Sequence, residues 1–250
     1  MAFKPTLLLI PLLLTLAWAI DRRWRALLRQ GIAAAAAAAI AFVVGCRFLH
    51  SWSAWSSWAD ALPDLEKVSD ISVTQANFSL AQLLHEATGL SGGDLSLAML
   101  LLSLVVTTVA LDLTRLHPPR TLADRQVWIE RDFLVTALGC TLSVVVLKLV
   151  WLHYYALTIP LLLYLLRPGA WIAPAANRQP RAVLAMARLI AVLLAFAAVL
   201  GRPFDLLVDP SPATRAGLFI GGAWILLLLG LTDLWERSLC SRPAKAPSNP

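Results

Sequence analysis

Long apolar runs alternate along this chain with short connections that carry arginine. The runs lie at 5–20, 31–48, 95–113, 133–151, 154–166, 182–200 and 216–231. A helix of about 20 apolar residues crosses the hydrocarbon core of a bilayer. All seven runs are read as helix, because an open sheet edge in lipid leaves backbone groups unpaired. The pattern predicts an all-α fold: a polytopic transmembrane helix bundle of about seven spans, forming one domain over residues 1–250.

The stretch Phe133–Leu166 fits neither one span nor two. Its length as a continuous helix would be about 51 Å at 1.5 Å per residue. Charge decides for a hairpin, which keeps the clusters Arg115–Arg131 and Arg167–Arg181 on one side, bent near Trp151-Leu152-His153-Tyr154-Tyr155. Non-helical backbone at that depth must face protein or a wet cavity. The second run holds Ala33 to Ala39 without interruption and reads as a tightly packed inner helix, since small residues let helices approach closely in lipid.

The sizeable connection, residues 50–93, opens Ser51-Trp52-Ser53-Ala54-Trp55-Ser56-Ser57-Trp58. Trp52, Trp55, Ala59 and Leu62 share a helical stripe, which predicts a helix lying in the membrane interface. Helix is disfavoured just before Pro63. A second short helix is signalled by Ser79-Leu80-Ala81-Gln82, with Ser79 as cap and Gln82 reaching back. Gly89 and Gly92-Gly93 close the loop, and Asp94 is placed to cap the next span.

Composition agrees with a membrane protein. Apolar residues make up 59% of the 250 and charged residues 14%, against roughly 25% charged in a soluble domain. The N-terminal Lys4, Leu-rich run and Ala17-Trp18-Ala19 have elements of a signal peptide, but the basic cluster follows the run, so a retained span is expected. The net charge of +6 does not suit a nucleic-acid partner, because the arginines stand in short clusters between apolar runs. Alternate connections hold fourteen Lys and Arg (from Arg22 through Arg115, Arg167 and Arg237 to Lys245), and the other set holds four: Arg47, Lys67, Arg202 and Arg215. Cytoplasmic connections are the basic ones. This predicts a multi-pass inner-membrane protein, the C-terminus cytoplasmic and the 50–93 loop outside. Cys46, Cys140 and Cys240 show no metal-ligand or disulfide spacing.

No self-sufficient catalytic motif is present. On the predicted outer side, His153 with Tyr154 and Tyr155 can hydrogen-bond a sugar or phosphate, or serve as an interfacial anchor. Lys148 can pair with a lipid phosphate or snorkel to the surface. Asn77 and Ser79 can contact a glycan or cap the short helix. Asp205 and Asp209 form an acid–base pair or a solvated turn among prolines. Asp60, Asp64, Glu66 and Asp70 read as surface charges, one of which can hold a divalent ion; no cofactor is otherwise called for. Asp112 and Asp132 border arginine clusters and are expected to pair with them.

Three pieces resemble glycosyltransferase family 87. They are Phe3-Lys4-Pro5-Thr6-Leu7-Leu8-Leu9-Ile10-Pro11 with Arg22-Arg23-Trp24-Arg25-Ala26-Leu27; Ser51-Trp52…Trp55…Leu62-Pro63 with Asn77-Phe78-Ser79-Leu80 and Leu83-Leu84; and Val150-Trp151-Leu152-His153-Tyr154-Tyr155 with Ile159-Pro160-Leu161-Leu162. The resemblance implies a GT-C-like architecture and transfer of a hexose, often mannose, from a polyprenyl-phosphate donor to an extracytoplasmic lipid or glycan acceptor. It implies donor or acceptor contacts from His153, Tyr154, Lys148, Asn77, Ser79 and Trp55. Two places depart from it: Leu147-Lys148-Leu149-Val150 stands where a Ser-Pro-type stretch is common, and His85-Glu86 where an Arg often follows. The family's catalytic carboxylate is expected upstream of this chain, in an N-terminal half. The alternative reading is a non-catalytic membrane subunit or transporter component; no internal repeat supports a transporter.

Overall fold

The computed structural model of the protein describes residues 5–53, 55–57, 60, 71–75, 77–116, 121–167, 178–200 and 211–240. Among these there is no strand. The helices are α1 (Leu9–Ile20), α2 (Trp24–Phe48), α3 (Leu80–Thr88), α4 (Gly92–Leu113), α5 (Leu122–Val145), α6 (Ile159–Leu166), α7 (Arg178–Leu200) and α8 (Pro212–Cys240). Short 3-10 turns lie at Pro5–Leu8, Val73–Gln75 and Leu152–Thr158. Among the described residues three helices are long and apolar enough to cross a membrane: Trp24–Phe48, Gly92–Leu113 and Pro212–Trp235. Leu9–Ile20, Leu152–Leu166 and Met186–Leu200 are shorter apolar helices. The protein is an all-helical membrane bundle.

The centre of the bundle is α5, flanked by α1, α6 and α8. Leu134, Leu138 and Leu142 recur at a spacing of four, so they line one face of α5, and all are buried. Leu161 and Leu165 of α6 and Leu226 and Leu234 of α8 fill the same core. Close approach depends on two glycines. A Cβ at Gly139 would lie 3.0 Å from the Ile10 Cα of α1, and one at Gly222 would lie 2.6 Å from the Ala195 carbonyl of α7.

Polar groups sort to the two ends. At one end Arg131 pairs with Asp21 and Arg23 with Asp132 at 2.7 Å. Arg167 pairs with Glu130 at 3.2 Å and Arg188 with Asp233 at 2.8 Å. These pairs tie the ends of α1, α5, α6, α7 and α8 together. Tyr164 adds a hydrogen bond to Asp233, and Arg23 packs over the rings of Trp18 and Trp128. The pairing expected for Asp132 is present; Asp112 is exposed and has no ion pair among the described residues, only its backbone carbonyl accepting the Arg115 N–H.

The Phe133–Leu166 stretch does turn back. Its first limb begins well before Phe133, at Leu122, and stops at Val145, six residues short of the expected Trp151. Residues 146–151 are irregular, and the Leu152–Thr158 turn leads into α6. The limbs lie side by side: the Phe133 and Tyr164 rings are 6.0 Å apart, and Arg167 returns to Glu130.

The expectation for α2 fails. The alanine-rich α2 is not an inner helix: residues 31–44 are exposed, and Cys46 is its buried residue. Small side chains permit close packing in lipid but do not by themselves supply a neighbour. Its main neighbour is α1.

Candidate functional site

Helix α5 ends without proline or glycine. What stops it is a set of groups from the segment before α3 and from α4 that pair with the backbone just beyond its end. The Asn77 amide donates to the carbonyls of Ile71 and Lys148, both at 3.0 Å. Its Oδ1 accepts the Val150 N–H at 3.0 Å. The Ser79 hydroxyl donates to the same Lys148 carbonyl at 2.7 Å, and Phe78 N–H donates to the Val150 carbonyl at 2.8 Å. Ser96 of α4 donates to the Val146 carbonyl. Residues 77–79 therefore lie beside 148–150 as an extended partner, with Asn77 imitating a backbone unit. Val146 and Val150 are buried, and the hydrogen bonds above pair this broken backbone with protein.

Three predicted residues owe their positions to this knot. Lys148 is half-buried, and its stem runs past the start of α4, 3.5 Å from where a Cβ on Gly92 would stand. The Tyr155 hydroxyl donates to the Phe78 carbonyl at 2.7 Å, which fastens the 152–158 turn to the same extended segment. That turn carries His153, exposed, and Tyr154, half-buried, their rings edge-to-face at 4.5 Å. An ammonium, an imidazole and a phenol thus flank one rigid knot at the end of the bundle opposite the ion pairs. Each can donate to an anionic oxygen.

Asn77 and Ser79 are fully buried, and the hydrogen bonds above engage their side chains with protein. Ser79 also caps α3, accepting from Gln82 N–H at 3.0 Å. The other half of the predicted capping box is absent: the Gln82 amide turns to Glu86 Oε1 at 3.1 Å, which also holds Val73 N–H at 2.8 Å. Glu86 thereby joins the site's frame, a role that its i, i+4 spacing from Gln82 allows. Asp94 does not cap α4; Ser91 does, accepting from the Asp94 N–H at 3.4 Å. Gly89, at φ 74°, ends α3 in the left-handed conformation.

Trp55 packs elsewhere. Its indole N–H donates to the Phe42 carbonyl of α2 at 3.2 Å, and its ring fills the space above Gly45, where a Cβ would be 2.8 Å away. Trp52 is exposed, 6.2 Å from the Phe42 ring. Ala59 and Leu62 of the predicted stripe lie outside the described residues, as do Asp64, Glu66, Asp70, Asp205 and Asp209. Among the described residues no group of three or more His, Cys, Asp or Glu side chains is placed to hold a metal ion.

The family model described as Glycosyltransferase family 87 matches residues 2–143, more than half of the chain. The matched part runs from α1 through most of α5 and contains Asn77 and Ser79; it ends before Lys148 and His153. No curated protein matches the chain, and no solved structure does. With apolar helices arranged as a membrane bundle and a family match over that length, the chain belongs to glycosyltransferase family 87.

Proposed function

We propose that this protein transfers a hexose, mannose being the first to test, from a polyprenyl-phosphate donor to an extracytoplasmic lipid or glycan acceptor. It works in the cell inner membrane, with the knot outside and the C-terminus in the cytoplasm. The observation that supports this most is the knot itself: Lys148, His153 and Tyr154 held at the bundle end away from the arginine pairs. During transfer the acceptor oxygen bonds to the anomeric carbon and the bond from that carbon to the phosphate oxygen breaks. A general base takes the acceptor proton, and the bonding pair stays on the leaving polyprenyl phosphate. Lys148 and His153 offset that developing charge, which is where electrostatic catalysis is most effective.

The test is transfer of labelled hexose from a polyprenyl phosphate to extracted lipid and glycan acceptors by the protein in nanodiscs. His153→Ala and Lys148→Met should each lower the rate by about 10²-fold, the loss typical of one removed charge-stabilising donor. Unchanged rates in both would remove these residues from the reaction. Donor binding with no turnover by the native chain would favour the non-catalytic subunit.

A further inference from the structure

At the arginine-rich end, away from the proposed transfer site, α1 and α2 diverge and leave a groove of about 580 Å³ against α5. Ordinary ligand sites span about 300–1,000 Å³. Its walls are mainly apolar: Ile10 and Leu14 of α1 and Ala33 of α2. The charged residues that line it are both cationic, Arg23 and Arg29. They are not equivalent. Arg23 is fixed by Asp132 at 2.7 Å and by the rings of Trp18 and Trp128. Arg29 is exposed and has no ion-pair partner among the described residues. Gln30 bridges the two walls, its amide donating to the Pro11 carbonyl at 3.2 Å, so the groove has a fixed width there.

We propose that this groove binds an anionic phospholipid, with the phosphate on the Arg29 guanidinium and an acyl chain along Ile10, Leu14 and Ala33. Charge complementarity selects that occupant. A purely apolar groove on a membrane helix would accept any lipid tail, but a guanidinium at its mouth discriminates by headgroup. The planar fork of arginine meets two phosphate oxygens at once, and a net negative headgroup leaves that charge uncancelled by a choline. Arg25, one turn earlier on the same helix but outside the groove, adds only unspecific attraction to the surface.

Trp18 lines the groove and reports on it. The full chain is reconstituted with brominated-chain phosphatidylglycerol or brominated-chain phosphatidylcholine, and the Trp18 signal is taken as the difference from Trp18→Phe. Phosphatidylglycerol should quench it at several-fold lower mole fraction than phosphatidylcholine. Arg29→Gln should erase that preference, Arg25→Gln should keep it, and Ala33→Phe should reduce quenching by both lipids. Equal quenching by the two lipids in the native protein, or a preference that survives Arg29→Gln, would overturn the proposal. Displacement of brominated phosphatidylglycerol by polyprenyl phosphate far below the competing level of unlabelled phosphatidylglycerol would overturn the choice of occupant.

Discussion

At the scale of single residues, Asn77 is the side chain on which most depends. It satisfies two carbonyls and one N–H, two of those groups lying in the interruption after α5. Removing it takes the partner from the Ile71 carbonyl and the buried Val150 N–H, at about 1–3 kcal/mol each where no water replaces it, while Ser79 still holds the Lys148 carbonyl. Asn77→Ala should therefore lower the melting temperature in detergent well below that of Ser79→Ala, for which the loss is a cap and one bond, about 0.5–2 kcal/mol. A drop in transfer without any drop in melting temperature would instead make Asn77 a ligand contact. The cap at Ser79 was legible, since a Ser three residues ahead of Gln82 needs only local geometry. The staple at Asn77 was not, because its partner Lys148 is 71 residues away.

At the scale of elements, close glycines set which helices touch. Gly139→Ala and Gly222→Ala put a methyl against backbone of a neighbouring helix, so each should destabilise by about 1–3 kcal/mol, the usual range for overpacking. Gly31 of α2 and Gly217 of α8 have nothing within 4 Å of an added Cβ. Alanine there should be neutral or stabilise by up to about 1 kcal/mol through helix propensity. Melting curves of the four variants check both halves; equal effects at all four positions would contradict the packing described. Length left Phe133–Leu166 between one span and two, and the arginine clusters on either side of it, which a hairpin keeps on one face, called for a reversal. The bend expected near Trp151–Tyr155 lies within the interruption, but α5 stops earlier than expected, because tertiary hydrogen bonds from Asn77, Ser79 and Ser96 end it and no local breaker does. For α2 the alanine run misled: small side chains permit close packing, but a neighbour must be there to use it.

At the scale of the whole molecule, the ion pairs gather at one end of the bundle and the knot at the other. The pair Asp21–Arg131 is the most buried of them. Asp21→Asn should cost about 3–5 kcal/mol by leaving Arg131 charged and unpaired, whereas replacing both partners by apolar residues of similar volume should cost much less. Chemical denaturation of the single and double variants separates these outcomes. The clustering of arginine in alternate connections made this polarity readable without a structure. The individual partners were not readable, because each pair joins helices distant in sequence.

The opposite placement of knot and arginines is tested most directly by labelling cysteines from one side of the membrane. With Cys46, Cys140 and Cys240 replaced, Thr74→Cys, His153→Cys and Arg25→Cys are each treated with a membrane-impermeant maleimide on intact cells and on inverted vesicles. Thr74→Cys and His153→Cys should react in intact cells, and Arg25→Cys only in inverted vesicles. Labelling of positions 74 and 153 from opposite faces, or of 153 and 25 from the same face, would contradict the account.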